Sequence, residues 1–390
     1  MVTKDGQERM RGSCLSSSLN RVEISRAALR HNFRVCRKKA GHAAIMPMVK
    51  ADAYGHGMLE CARVFADEGA AAFGVAEALE GAVLREAGFQ HPIYVLVGVL
   101  PDAIGDILKY NLTPVIVDGD ILPELSKQAA IKGTKLGLHI KIDAGMGRQG
   151  VLPEEVSALE RRIKDLPGLY LAGIMAHFPM ADNFSSPNTL EVFKLFQRVA
   201  GGVAESSQVE FLMHIANSGG LFHFDATRMN MVRPGISLYG YYPEGEPHLV
   251  VEDDEQLEPA MKYMTRIIQV RTVPAGTGLG YGHTFITGRR TRLAVLPVGY
   301  EDGYLRCLSN KAEVLIHGRR VPVVGRVSMN LTLADITDAP NDIRQGDEAV
   351  LLGKQEGEII TADELASWMG TISYEVLCLF GNLNYRYYID

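Results

Sequence analysis

The sequence predicts an α/β protein, a (β/α)8 TIM-like barrel followed by a mostly β C-terminal domain. Three observations carry this. Eight apolar, β-type runs alternate with amphipathic helical stretches over the first two thirds of the chain. The alternation stops at a polar stretch, 244–258, and from 261 onward short strands and turns follow one another. A doubly wound open sheet is the alternative, weakened because no GxGxxG turn follows the first strand.

The elements follow in order. Residues 1–20 carry charges and no apolar core, so they read as a polar, partly disordered extension and not as a secretory signal. The barrel is expected over 21–258, with strands at 44–49, 71–76, 93–98, 112–118, 136–143, 169–178, 211–218 and 231–239. Helices are expected between them at 58–69, 77–88, 101–110, 122–133, 154–166 and 189–205, where apolar residues such as Val156, Leu159 and Ile163 recur at helical spacing. Pro153 with Glu154 and Glu155 is a good helix opening. The β domain is expected over 259–390, with strands at 267–273, 292–297, 312–316, 321–324, 331–335 and 348–352. Hairpin connections fall at 317–319 and 354–357, and one short helix at 361–369 opens on a Thr cap.

Composition narrows the function classes. Forty Lys+Arg against 46 Asp+Glu leave a net charge of −6, which lacks the basic footprint of a nucleic-acid binder. No run of 18 apolar residues spans a membrane. Cys14, Cys36, Cys61, Cys307 and Cys378 are scattered, with neither CxxC nor Cys/His metal spacing. That set fits reduced thiols in the cytoplasm and no metal site.

The densest chemical signal is MVKADAYGHG at 48–57. A strand ending in Lys50 places an amine at the barrel mouth, where desolvation frees it to attack a carbonyl. Taken alone, Lys50 reads as a solvated strand-end lysine before a Gly-rich turn. The whole segment VKADAYGHG, however, resembles the pyridoxal-phosphate lysine motif of the alanine racemase family. IKIDAGMGRQG (140–150), GIMAHF (173–178), HIANS (214–218), MVRPGISLYG (231–240), GYGHTF (280–285), VGYEDG (298–303), VGRVSMN (324–330) and SYEVL (373–377) resemble further motifs of that family, in its order.

The resemblance implies a pyridoxal 5'-phosphate enzyme interconverting L- and D-alanine, a homodimer with shared active sites. Lys50 would hold the cofactor and act as one base, and Tyr281 as the opposite base, reaching in from the partner subunit. His177 would hydrogen-bond that tyrosine. Arg233 would face the pyridine nitrogen; unlike an aspartate it cannot accept a proton there, which limits side reactions. Tyr54, Ser218, Gly235, Ile236 and Tyr374 would bind the phosphate, and Ser218 also reads as a helix cap. Arg148 and Met329 would contact the substrate carboxylate, with Lys141 carbamylated to steady Arg148. Tyr300 and Tyr374 would line a narrow entrance.

Some positions depart from the family pattern. Asn330 stands where Asp is usual and Glu301 where Ala is usual; Ser328, His283 and the tail GNLNYRYYID also differ. The Asn removes a negative charge near the substrate, which leaves a serine or broad-specificity racemase as the alternative. A decarboxylase on a related barrel would not need Tyr281, and a non-catalytic pyridoxal-phosphate carrier would not need the second domain.

Overall fold

The structure, a computed structural model, describes residues 18–183, 185–207, 210–243 and 256–390. The expected polar extension lies almost wholly outside these residues, as does most of the stretch 244–258. The described chain forms two compact units, Ser25–Ala260 and a second that joins the residues up to Ile24 to Met261–Ile389. The first strand, β1 (Arg21–Ser25), thus pairs inside the second unit, although the sequence pattern places 21–24 with the barrel. Asn20 holds it there: its amide donates to the Pro297 carbonyl at 3.0 Å and accepts from Thr265 Oγ1 at 2.7 Å.

In the first unit, β2 (Ala44–Ile45), β3 (Phe73–Val75), β4 (Ile93–Val95), β5 (Thr113–Ile116), β6 (Leu136–Lys141), β7 (Leu169–Met175), β8 (Leu212–His214) and β9 (Met231–Val232) are parallel. β3 to β8 form one sheet in sequence order, and β2 pairs with β9. A parallel bridge from Met48 to Gly74 joins β2 to β3. The seam between β8 and β9 is crossed by Asn230 N–H to Met213 C=O at 3.3 Å and Arg233 N–H to Ala216 C=O at 2.8 Å. The eight strands therefore close into a barrel.

The ladders are shorter than the apolar runs that announce them. Strands of a closed parallel barrel are buried on both faces, so the apolar run continues past the last ladder bond into the loop at the mouth. Met46, Met48, Ala72, Tyr94, Leu96, Val115, Met175 and Met231 fill the interior. The expected helices stand at Met58–Asp67, Ala78–Glu86, Ile104–Lys109, Leu122–Ile131, Val156–Asp165 and Asn188–Ser207. Pro153–Glu155 is a 3-10 turn leading into its helix. An additional helix, Arg26–Ala40, opens on the Ser25 side chain, which accepts from Ala28 N, and buries Leu29, Phe33, Cys36 and Ala40 along one face.

The second unit is mostly strands. β10 (Met261–Arg266), β15 (Glu313–Ile316), β16 (Arg319–Pro322), β18 (Glu348–Gln355) and β20 (Arg386–Ile389) join β1 in one sheet, ordered β16-β15-β18-β10-β1-β20, with β19 (Glu358–Ile360) on β18. β11 (Gln269–Val273), β14 (Thr291–Leu296) and β17 (Thr332–Asp335) form a second sheet, and β12 (Gly278–Leu279) pairs with β13 (Phe285–Ile286). The helix Ala362–Met369 is capped by Thr361 Oγ1, which accepts from Glu364 N at 3.1 Å. A second helix, Ser373–Leu383, follows where the pattern predicts only one, and it buries Val376, Leu377 and Phe380.

One glycine ties the barrel wall to its interior. A Cβ on Gly173 of β7 would stand 2.1 Å from the ring of His139 on β6, so the imidazole packs only against a residue without a side chain. Gly173→Ala is expected to destabilise the protein by about 1–3 kcal/mol through overpacking, read as a lower urea midpoint at unchanged slope. An unchanged midpoint would show that this contact is not tight.

Candidate active site at the barrel mouth

Lys50 begins a short left-handed turn. Ala51, Asp52, Ala53 and Tyr54 all take positive φ, from 53° to 55°. Left-handed turns cost L-residues roughly 1–2 kcal/mol each, so the surroundings must hold this one. Glu80 does so with both oxygens: Oε1 accepts from Ala51 N at 2.8 Å and Oε2 from Ala76 N at 2.6 Å. Asp52 Oδ1 accepts from Met58 N at 2.7 Å, fastening the turn to the next helix. The segment expected to be a Gly-rich turn is thus built mainly from strained non-glycine residues, with Gly55 as its left-handed end.

The turn sets Tyr54 beside the 235–237 backbone. Its ring lies 5.0 Å from that of Tyr239, and a Cβ on Gly235 would come within 2.4 Å of the Tyr54 hydroxyl oxygen. Ser218 Oγ accepts from Gly235 N at 3.0 Å and Ser237 N at 3.4 Å. The helix cap is Asn217, whose Oδ1 accepts from Gly220 N at 3.0 Å. Ser218 is not that cap, and its hydroxyl is committed to the 235–237 backbone instead. Tyr54, Ser218, Gly235 and Ile236 therefore come together.

Arg233 is buried under this cluster, and its guanidinium is met by neutral acceptors. Nη1 bonds His214 Nδ1 at 2.9 Å; Nη2 donates to the carbonyls of Ala176 at 2.7 Å and Ile215 at 3.1 Å and faces His177 Nδ1 at 3.4 Å. Among the described residues no carboxylate bonds it. Burial pushes its pKa down to about 9, which leaves it charged at neutral pH. Because arginine only donates, His214 accepts at Nδ1 and carries its proton on Nε2. That proton points to His139 Nδ1 at 2.8 Å, so His139 in turn carries its own on Nε2. Burial, then Arg233, holds His139 down at about 3 and His214 well below the usual range.

Cations gather above it. Lys141 is buried, donates to Gln149 Oε1 at 2.6 Å, and is lowered to about 8 by burial and then by Arg148, Arg233 and Lys50. His177 is held well below its ordinary value by burial and then by Arg233, Arg148, Lys141 and Lys50. The exposed Arg148 stands in a loop organised by Asp143. Burial raises that carboxyl, but backbone N–H groups of the loop outweigh it and bring it below its ordinary value; its Oδ1 accepts from Gly147 N at 2.9 Å and Gly145 N at 3.1 Å. A Cβ on Gly150 would meet the Asp143 nitrogen and the Lys141 oxygen at 2.8 Å, so the loop closes only with glycine there.

The remaining expected residues belong to the β unit. Tyr281 sits between β12 and β13, flanked by Gly280 (φ 63°) and Gly282 (φ 70°), and is 71% exposed. Tyr300 and Met329 are exposed as well, and Tyr374 is half-buried near the start of its helix.

A family model for the N-terminal domain of alanine racemase matches residues 24–243, and one for its C-terminal domain matches 260–388. The chain belongs to the alanine racemase family. It is 40% identical over 367 residues to an alanine racemase of Syntrophobacter fumaroxidans, covering 94% of this chain and 96% of that one. It is 42% identical over 372 residues to one of Thermodesulfovibrio yellowstonii, covering 94% and 97%. Among solved structures, alanine racemase of Clostridium difficile superposes with a TM-score of 0.88 at 33% identity, covering 96% of each chain. An alanine racemase from Bartonella henselae with covalently bound pyridoxal phosphate superposes with a TM-score of 0.85 at 26% identity, covering 95% of this chain and 100% of that one.

Within this racemase scaffold the sequence reading passed over Glu80, His139, Asp143, Gln149 and His214. A signal existed for His139: it lies two residues before Lys141 on one strand, so both point to the same side. The depressed histidines have a measurable consequence. Unfolded, His139, His177 and His214 take up protons near pH 6.5; folded, they resist, His139 down to about 3. The unfolded state therefore binds more protons, and stability falls as pH drops below about 6.5. Urea unfolding at pH 7 and pH 5 should show a lower midpoint at pH 5, and equal midpoints would contradict the neutral assignment.

Proposed function

We propose that this protein is a pyridoxal-phosphate-dependent racemase that interconverts L- and D-alanine, with Lys50 and Tyr281 as its two bases. The observation that carries the reading is a barrel mouth joining a lysine, a hydroxyl-lined cradle and a buried arginine whose guanidinium is met by neutral acceptors. The cofactor fits these groups. A phosphate dianion suits the Tyr54 and Ser218 hydroxyls beside Gly235, where a Cβ would collide with Tyr54. Ile236 extends that backbone, and Tyr374 of the β unit is the further hydroxyl proposed for the phosphate. When bound, pyridoxal phosphate supplies an electron-withdrawing ring that acidifies the substrate α-carbon.

The protein's own groups do the rest. Arg233 offers the ring nitrogen donors but no acceptor, so no proton is held there by the protein. Racemisation needs one group to take the α-proton from one face and another to deliver it on the opposite face, the roles of Lys50 and Tyr281. His177 accepts from Arg233 at Nδ1, so its Nε2 proton is the one available to the Tyr281 oxygen. Arg148 and Met329 hold the substrate carboxylate. The 71% exposed Tyr281 supports a homodimer in which it serves the partner's barrel. Among the described residues Cys36 and Cys307 are free thiols, which fits the cytoplasm. No helix among the described residues is long and apolar enough to cross a membrane.

Proton exchange tests this directly. In D2O, the pyridoxal-phosphate-loaded protein should exchange the α-proton of both L- and D-alanine, followed by NMR and chiral analysis; absence of exchange refutes the reading. Faster turnover of L-serine would assign the alternative substrate. Tyr281→Phe should slow exchange from one enantiomer by roughly 10²–10⁴-fold more than from the other.

Lys141 carries the second test. Its neutral amine attacks carbon dioxide, the C–N bond forms, the nitrogen loses a proton to solvent, and an anionic carbamate remains beside Arg148. Only the neutral amine reacts, and it predominates above about pH 8. With ¹³C-bicarbonate, a carbamate resonance absent from Lys141→Met should grow from pH 7 to pH 9. A spectrum without it at every pH would remove the carbamate.

A further inference from the structure

Two segments of the β unit run side by side next to Met329. Tyr300 N–H donates to Ser328 C=O at 3.1 Å, and Glu301 N–H to Met329 C=O at 3.1 Å. Gly299 permits this approach, since a Cβ there would stand 2.1 Å from the Ser328 oxygen. Beyond these backbone bonds, one side-chain bond joins 299–302 to 328–331 among the described residues: Asn330 Nδ2 donates to Glu301 Oε2 at 2.6 Å. Both residues are exposed, so the bond contributes little to the fold and its effect falls on what the segment presents.

These are also positions where the sequence departs from the family pattern, Asn for Asp and Glu for Ala. An Asp opposite an Ala carries one negative charge; a Glu held by an Asn carries one as well. The one negative charge of this pair stands on Glu301, held by the Asn330 amide.

We propose that Glu301 and Asn330 act as one specificity-determining unit. The unit keeps a single carboxylate beside Met329 that disfavours amino acids with acidic side chains while accepting neutral ones. This rests on the reading that Met329 faces the substrate carboxylate. A substrate with a second carboxylate meets the fixed charge of Glu301 at short range, and the Asn330 amide keeps that charge from swinging into solvent. A unit charge several ångström away near a protein surface changes affinity by about three- to fivefold.

The test uses the pyridoxal-phosphate-loaded protein, E301Q, N330D and the double variant E301A/N330D. L-aspartate binding is read from the cofactor absorbance, with alanine KM and kcat measured in parallel. E301Q should bind aspartate about three- to fivefold more tightly, N330D about three- to fivefold more weakly, and the double variant should return to within twofold of the parent. Alanine KM should move less than aspartate affinity. Thermal melts of all four should coincide, because the positions are exposed. Equal aspartate affinities, absent binding in E301Q as in the parent, or a double variant more than twofold away from the parent would overturn the proposal. Because binding is read without turnover, loss of the alanine-racemase reading would show separately, as a parent protein that binds aspartate in the predicted order yet exchanges no alanine proton.

Discussion

The buried guanidinium of Arg233 is the constraint around which the barrel end is arranged. A cation taken out of water costs several kcal/mol unless its donors are met. Here two carbonyls and two imidazoles meet them, and among the described residues no carboxylate neutralises the charge. The histidines must then be neutral and of one tautomer, since each accepts from a group that can only donate. His139 completes the chain and needs Gly173 to have no side chain. One cation thereby dictates residues on β6, β7, β8 and the end of β9.

The same choice sets the field above. Burial lowers Lys141 and His177 first, and the charge of Arg233, bonded to no acid among the described residues, lowers both further. An anionic ligand entering this mouth replaces water with fixed positive charge, a preorganised arrangement that needs no rearrangement on binding. The strained turn after Lys50 contributes in another way. Four residues at positive φ are held by Glu80 and Asp52, so the ends of three elements lock where the lysine leaves the barrel. The acidic net charge of −6 says nothing about this site; local cations decide it.

Much of the fold was legible because barrel strands and their helices differ in period. Apolar runs of six to ten residues against helical spacing of Val156, Leu159 and Ile163 separate the two. The helix Arg26–Ala40 escaped notice because its stripe of Leu29, Phe33, Cys36 and Ala40 is diluted by seven basic residues, counting its histidine. The helix Ser373–Leu383 escaped because it is apolar nearly all round, which blurs its period. β1 went to the wrong unit because pattern reports that a strand exists, while its partner, β10, lies some 240 residues away in sequence.

For the site, sequence by itself determined the residue types and their order: Lys50 at a strand end, Arg233 before Pro234-Gly235, Tyr281 between glycines. These are local features, and local chemistry suffices to read them. Only the tertiary structure decided what each group faces. It made Asn217 the cap and committed Ser218 to the 235–237 backbone, paired Asn330 with Glu301, and placed His139 and His214 behind Arg233. Apart from the cap, such partners lie 17 to 75 residues apart, and bringing them within 3 Å is the work of barrel closure and loop packing, which no spacing along the chain records.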